Sequence, residues 1–525
     1  MPKKPKQKIA VLDIETDPFL FGRRPEPFAL GFYDGESYKQ FWGDCCIDQF
    51  VNWIEDHNET FTIYAHNGGK FDFYYLIEHV ENPLKIVNGR ILQCKFGRHT
   101  LRDSYAIVPV ALKVFDKGEI DYRKFEREYR REHQNEISEY LERDCRSLFA
   151  LVAAFRAEFG DKLTIGSTAI AELNKFHPIE KQTASHDAKF RRFYFGGRVQ
   201  CFNSGTIRDD WKIYDVNSMY PHVMRDYEHP IGRDYEFTDD LSYCLRRGTA
   251  FFADITADSH GNFPVRAVDG SVAYPTGANR VLVTGHEIRS AMALSLLDVR
   301  FIHGIYLCNR SQSFAKFVDH YAERKARAKK AGDKASEIFS KLLLNSAYGK
   351  FGSNPDEFFD WHLYRPGEDI PEGFEPYLDY GWLMVMRREA RNKFLGYFDV
   401  AVAASVTGAA RAVLMRALAG SKRPVYCDTD SIICTALKAP THPYRLGAWK
   451  LEAEGDTVHI AGKKLYSLTA KNMPVKIASK GVTLNSDEII DIANGGTIMT
   501  SRDSPTFRKD GAVTFIQRKI RSTVK

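Results

Sequence analysis

Residues 425–433 read VYCDTDSII, and this stretch limits the fold more than any other. Valine, tyrosine, cysteine and isoleucine favour a pleated, half-buried surface. Aspartate is depleted in strands, and a carboxylate near a core is costly without a partner. Asp428 and Asp430 therefore predict a β-hairpin with Asp-Thr-Asp at its tip, and they raise the question of what offsets their charge.

Acids recur in the same kind of setting elsewhere. In KIAVLDIETDP (8–18), Asp13 and Glu15 end a strand and point to one side by its period of two. In IYAHNGGKFDFYYL (63–76), a strand runs through a glycine turn into a helix start at Asp72. In ISEYLERDCRSL (137–148), Tyr140 and Asp144 share one helix face. Each fragment alone suits a solvated edge or an ordinary helix. Together, Asp13, Glu15, Asp72 and Asp144 suit a pair of Mg²⁺ ions astride a phosphodiester, with the Tyr140 hydroxyl orienting water.

The logic repeats further on. WKIYDVNSMYPHVM (211–224) predicts a strand ending at Asp215 and a turn into a helix. SKLLLNSAYGKFGSNPD (340–356) predicts a helix that ends at Gly349. Lys341, Asn345 and Tyr348 lie on one of its faces, and Ile338, Phe339, Leu342 and Leu343 form the apolar one. Before it, ERKARAKKAGDK concentrates positive charge, which suits either a solvated face or a phosphate ligand.

Bulk composition sets wide limits. A chain of 525 residues, 44% hydrophobic, should form two to four domains or subdomains. The net charge of +6 permits a polyanionic partner without demanding one. No apolar run reads as a membrane span, and no signal peptide precedes IAVLDIET. The nine cysteines have no CxxC spacing, which argues for reduced thiols and an intracellular protein.

DIET, NGGKFD and YLERD match, in order, the three motifs of the DEDDy 3′–5′ exonuclease domain of DNA polymerases. DVNSMYP, the Lys341–Gly349 segment and YCDTDS resemble motifs A, B and C of family B DNA polymerases, with Met219 where leucine is usual. With Asp13 so early, no extra N-terminal domain is expected. This narrows the resemblance to the small protein-primed polymerases of bacteriophages with linear genomes. KGEIDY (117–122) resembles their lysine-containing exonuclease motif, FYFGGRV (193–199) their YxGG linker, and GKKLYSL (462–468) their KxY motif.

The resemblance implies an RNase H-like α/β exonuclease over residues 1–165, then a right-hand polymerase domain over 166–525. The palm would comprise 190–226 and 396–484, the fingers the helix 312–350, and the basic thumb about 485–525, with insertions at about 227–311 and 352–395.

The same resemblance assigns roles. Asp215, Asp430 and the Val216 main chain would hold the polymerase Mg²⁺ pair, with Mn²⁺ as a substitute, and Asp428 would support the site from its edge. Asp13, Glu15, Asp72 and Asp144 would hold the exonuclease pair, with Lys117 and Tyr140 assisting hydrolysis. Lys341, Asn345, Tyr348, Arg324 and Lys325 would bind the nucleotide, and Tyr220 would exclude a 2′-hydroxyl. DNA contacts are expected from Asn67, Phe71, Ser104, Tyr194, Gly196, Gly197, Ser218, Gly349, Thr429, Lys464 and Tyr466. The implied partners are template and primer DNA, dNTPs, a terminal protein carrying the priming hydroxyl, and a single-stranded DNA-binding protein in the host cytoplasm. Primer-independent synthesis, a DNA-binding replication factor with weak catalysis, and a stand-alone exonuclease are the competing readings.

Overall fold

A computed structural model describes residues 7–112, 115, 119–501, 506–507, 513–515 and 517–522. Its N-terminal unit is built on the strand Lys8–Thr16, whose buried Ala10, Val11 and Leu12 pair in parallel with Phe61–Ala65 and antiparallel with Pro27–Tyr33. Phe61–Ala65 in turn pairs in parallel with His99–Asp103. The 26-residue helix Gln134–Phe159 packs across this sheet through Ile137, Leu141, Leu148 and Phe155. Its apolar face covers one side of the sheet, and Phe50 and Ile54 of Cys46–Glu55 help to cover the other.

The sheet extends beyond this unit. Phe359–Tyr364, Met384–Glu389 and Glu375–Asp379, from the second insertion, join it through Trp361 opposite Leu84 and bring it to ten strands. The Asn82 side chain reinforces the junction by bonding both the N–H and the carbonyl of Leu363. Residues 359–389 are therefore welded to the N-terminal unit, far away in sequence.

A second large sheet, over the ranges expected to form the palm, has seven antiparallel strands. Gly205–Val216 lies at its centre, between Trp449–Gly462 and Ser431–Cys434. Behind it runs Val400–Ala419, rich in alanine and valine and buried along almost its whole length. Contrary to the sequence reading, this one helix among the described residues has the length and apolarity to cross a membrane. It is instead 94% buried inside the protein. Its Arg411 is neutralised by Glu287 of the first insertion, Nε to Oε1 2.7 Å.

The range 312–350, expected to be one fingers helix, holds two antiparallel helices, Ala315–Ala331 and Lys334–Phe351. Gly332 turns the chain with φ 73°, and Asp333 caps the second helix by accepting the Ser336 N–H. That helix passes through Gly349 and ends at Gly352, whose missing Cβ makes room for the Tyr194 ring. The first insertion contains a four-stranded sheet, Tyr235–Thr238, Leu297–Cys308, Phe251–His260 and Thr276–Thr284. The C-terminal unit has the helix Ser486–Ala493 and a strand pair, Thr497–Ser501 with Gln517–Arg521. All nine cysteines are free thiols.

Candidate active sites

The first acidic site forms where the strand Lys8–Thr16 meets the helix Gln134–Phe159. Carboxylate oxygens of Asp13, Glu15 and Asp144 come within 4.8 Å of one another. Asp72 closes in from a short 3-10 turn, where its Oδ1 accepts the Ile14 N–H at 3.1 Å. Burial, then the adjacent Asp13 charge, pushes the Asp72 carboxyl well above its ordinary pKa. An all-oxygen set of crowded carboxylates fits a hard divalent cation. Tyr140 lies one helical turn before Asp144, and its hydroxyl is 3.3 Å from that of Tyr122.

The glycine turn beside this site is fixed from below. Asn67 adopts φ 67° and, with Gly69, donates its main-chain N–H to the carboxylate of Asp103. A Cβ on Gly69 would lie 1.9 Å from the Ile91 carbonyl oxygen, so only glycine fits. Asp103, a buried acid that the motif reading missed, is neutralised by Arg90. Phe71 precedes Asp72 and is half-buried. Ser104 departs from its expected DNA contact: it is fully buried, and its hydroxyl bonds His66 Nδ1 and the Ala65 carbonyl. Lys117 lies outside the described residues.

The second acidic site is the predicted hairpin. Asp428 pairs with Ser431, and Thr429 makes the turn with φ 55°. Ser431 lies opposite Asp215 on the central palm strand, and the Val216 N–H donates to the Asp430 carbonyl at 2.8 Å. Burial, then the charges of Asp430 and Glu452, raises Asp215 to about 7. Burial is also the main cause that raises Asp430. This carboxylate set likewise fits a hard divalent cation.

Asp428 has a different environment, since the Lys464 ammonium contacts both its oxygens. One acid of the pair is thus neutralised by protein, and the other remains crowded against Asp215. Lys450 and Glu452 complete the site and were not singled out from sequence. Lys450 is opposite Asp215, Nζ to Oδ1 3.8 Å, and Glu452 is held by Lys450 and Lys476. Their alternation in WKLEAE on a strand was the available signal.

The YxGG-like linker seals this hairpin. A Cβ on Gly197 would strike the Thr429 hydroxyl at 2.5 Å, and the Thr429 N–H donates to the Arg198 carbonyl at 2.7 Å. Gly196 has open space around it, and its carbonyl accepts from Arg411. Tyr466 is buried against Tyr426, with ring centroids 5.1 Å apart. Ser218 is exposed in a left-handed conformation at the start of Met219–Asp226, and the adjacent Tyr220 stacks on Tyr348.

On the fingers, Lys341, Asn345 and Gly349 are exposed. Burial, then the Lys341 charge, lowers the Lys325 pKa. Arg324 departs from its expected nucleotide role. Its guanidinium pairs with Glu158 of the exonuclease helix and lies over the Phe159 ring at 5.9 Å.

The family model for DNA polymerase type B, organellar and viral, matches residues 111–369. The DNA-directed DNA polymerase of Enterobacteria phage PRD1 is 44% identical, over 99% of both chains. The DNA polymerase of Bacillus phage Nf is 27% identical, over 88% of this chain and 86% of that one. The structure of Phi29 DNA polymerase with primer-template DNA and incoming nucleotide substrates superposes with TM-score 0.75, over 99% of this chain and all of that one, at 19% identity. That likeness is one of fold: an RNase H-like exonuclease unit followed by palm, fingers and thumb. The chain belongs to the organellar and viral family of type B DNA polymerases, of the small bacteriophage type.

Proposed function

We propose that this polymerase extends DNA at one carboxylate centre, trims 3′ ends at a second, and begins replication on a protein. The observation that carries the reading is the pair of separate acid clusters, Asp13–Glu15–Asp72–Asp144 and Asp215–Asp430. In each, mutual repulsion leaves negative charge that a divalent cation would relieve. When bound, Mg²⁺ pairs would supply Lewis-acid stabilisation of the attacking and leaving oxygens.

The chain's own groups supply the rest. The primer 3′-hydroxyl attacks the nucleotide α-phosphate and pyrophosphate leaves. Lys341 and Lys325 would meet the triphosphate as point charges. Tyr348 would stack under the new base pair, beside Asn345, and Tyr220 would press on the sugar. In the trimming centre, Tyr140 would hold water in line with the scissile phosphate through its hydroxyl. Incubating a labelled primer–template with Mg²⁺, with and without dNTPs, distinguishes extension and degradation from binding alone.

We assign palm, fingers and thumb to the ranges inferred from the motifs, with the fingers as a helix pair. The first insertion would dock the terminal protein. The second, joined to the exonuclease sheet, would help to encircle DNA for strand displacement, with a single-stranded DNA-binding protein covering the displaced strand. Deleting 230–310 would remove Glu287 and strand the buried Arg411 charge, so the deletion would also destabilise the palm. A cleaner variant replaces the exposed rings of Phe237 and Phe301 with serine. Transfer of labelled dNMP to the partner should then fall much more than primer extension. Equal effects on both would contradict docking at this sheet.

A further inference from the structure

We propose that the loop between Asp17 and Glu26 is a stacking platform for the single-stranded 3′ end of the primer, with Phe19 as the ring that meets a base. The proposal rests on the reading of Asp13, Glu15, Asp72 and Asp144 as the trimming centre, because the loop starts two residues after Glu15.

The sequence PFLFGRRPEP puts apolar rings where a connecting loop ordinarily carries polar residues. Phe19, Leu20 and Phe21 are 41%, 54% and 69% exposed. Their loop is nevertheless rooted. The Asp17 N–H donates to the Glu26 carbonyl at 3.1 Å, and the Glu26 N–H donates back to Asp17 Oδ1 at 2.8 Å. Arg23 pairs with Asp17, and the Tyr75 hydroxyl donates to the Pro25 carbonyl at 2.9 Å. The exposed rings are therefore presented by a fixed loop.

Phe19 continues a row of rings. It meets Phe71 edge-on at 5.6 Å, and Phe71 meets Tyr75 at 5.4 Å. The Arg24 guanidinium lies 5.2 Å over Tyr75. Phe71, the middle ring of the row, is the residue before Asp72, so the row passes the acid cluster with Phe19 at its exposed end. Rings with a nearby cation suit single-stranded nucleic acid, because every base has a π-face and every linkage a charge.

The far side of the loop touches the C-terminal unit. The Gly22 N–H donates to the Val513 carbonyl at 2.8 Å, and the Val513 N–H donates to the Arg23 carbonyl at 2.9 Å. The loop thus bridges the thumb and the mouth of the trimming centre. A frayed primer end on its way to the trimming centre would meet this loop, and its unstacked bases, unlike those of duplex DNA, can lie on exposed rings.

The test is binding of a fluorescent oligothymidine in EDTA, measured by anisotropy, so that no cleavage is needed. Phe19→Leu keeps an apolar side chain but loses the π-face, and should weaken binding about five- to fiftyfold. Phe19→Trp should restore it. An oligonucleotide with abasic 3′ positions should bind the parent and Phe19→Leu alike. With Mg²⁺, the loss should fall on KM for single-strand degradation rather than on kcat. Unchanged affinity for Phe19→Leu, or an equal loss on the abasic strand, would overturn the platform. Failure of the trimming reading shows separately, as parental degradation by Asp13→Ala with Glu15→Ala, and the EDTA binding result does not depend on it.

Discussion

The rings of Tyr220 and Tyr348 stack face to face, with centroids 3.8 Å apart and planes 19° from parallel. Tyr220 starts the palm helix after Asp215, and Tyr348 lies near the end of the second fingers helix. In the proposed nucleotide site these two walls touch one another, and an incoming nucleotide would have to part them.

This contact predicts two different defects. Tyr348→Ala removes a stacking surface and should raise the KM for dNTPs about tenfold or more. Tyr220→Val removes the ring pressed against the sugar. Ribonucleotide discrimination should fall by about 10–200-fold, the range for losing one well-packed contact. Single-nucleotide incorporation with matched dNTP and rNTP measures both, and unchanged discrimination would refute the role of Tyr220.

Adjacent fingers residues should behave oppositely. Arg324 is committed to Glu158, a partly exposed pair worth about 1 kcal/mol or less. Arg324→Ala should lower the melting temperature slightly and leave the KM for dNTPs within about twofold. Lys325→Ala should raise that KM about tenfold, since it deletes a cation that the proposed function places at the triphosphate. Melting curves and steady-state kinetics on both variants check the contrast.

The Asp215 carboxyl gives a pH dependence. Its pKa rises from the ordinary 3.8 to about 7, so between those values the folded protein binds the proton more tightly than the unfolded chain. Stability of the metal-free protein should fall as pH rises through this window, and the penalty is complete above it. At about 1.4 kcal/mol per unit, discounted for solvent access, the penalty is roughly 2–3 kcal/mol. Asp215→Asn should flatten the decline. Mg²⁺ should raise the melting temperature more at pH 8 than at pH 5.5, because a protonated carboxyl is a poor ligand. Scanning calorimetry in EDTA and in Mg²⁺ measures each trend.

The acids were legible because their chemistry needs them in fixed local settings. Asp428 and Asp430 stand out against a strand, and Asp13 and Glu15 obey its period. The break at Gly332–Asp333 was missed, although a helix-stopping glycine followed by a capping aspartate was there to be read. Partners chosen across the fold left no such trace. The pairing of Trp361 with Leu84, the capture of Arg324 by Glu158 and the burial of Ser104 depend on contacts between distant segments. Lys464 reads as a primer ligand in sequence, yet here it neutralises Asp428. That pairing explains why Asp428 can stand beside a carboxylate centre without ligating it.

The separation of the two centres is tested most directly by one labelled primer–template, incubated in Mg²⁺ with and without dNTPs. Three proteins are compared: the parent, Asp215→Ala, and Asp13→Ala with Glu15→Ala. The parent should extend and degrade. Asp215→Ala should lose extension by about a thousandfold or more and still shorten single strands near the parental rate. The double variant should extend and no longer degrade. Extension by Asp215→Ala at the parental rate, or joint loss of both activities in either variant with an unchanged melting temperature, would contradict the account.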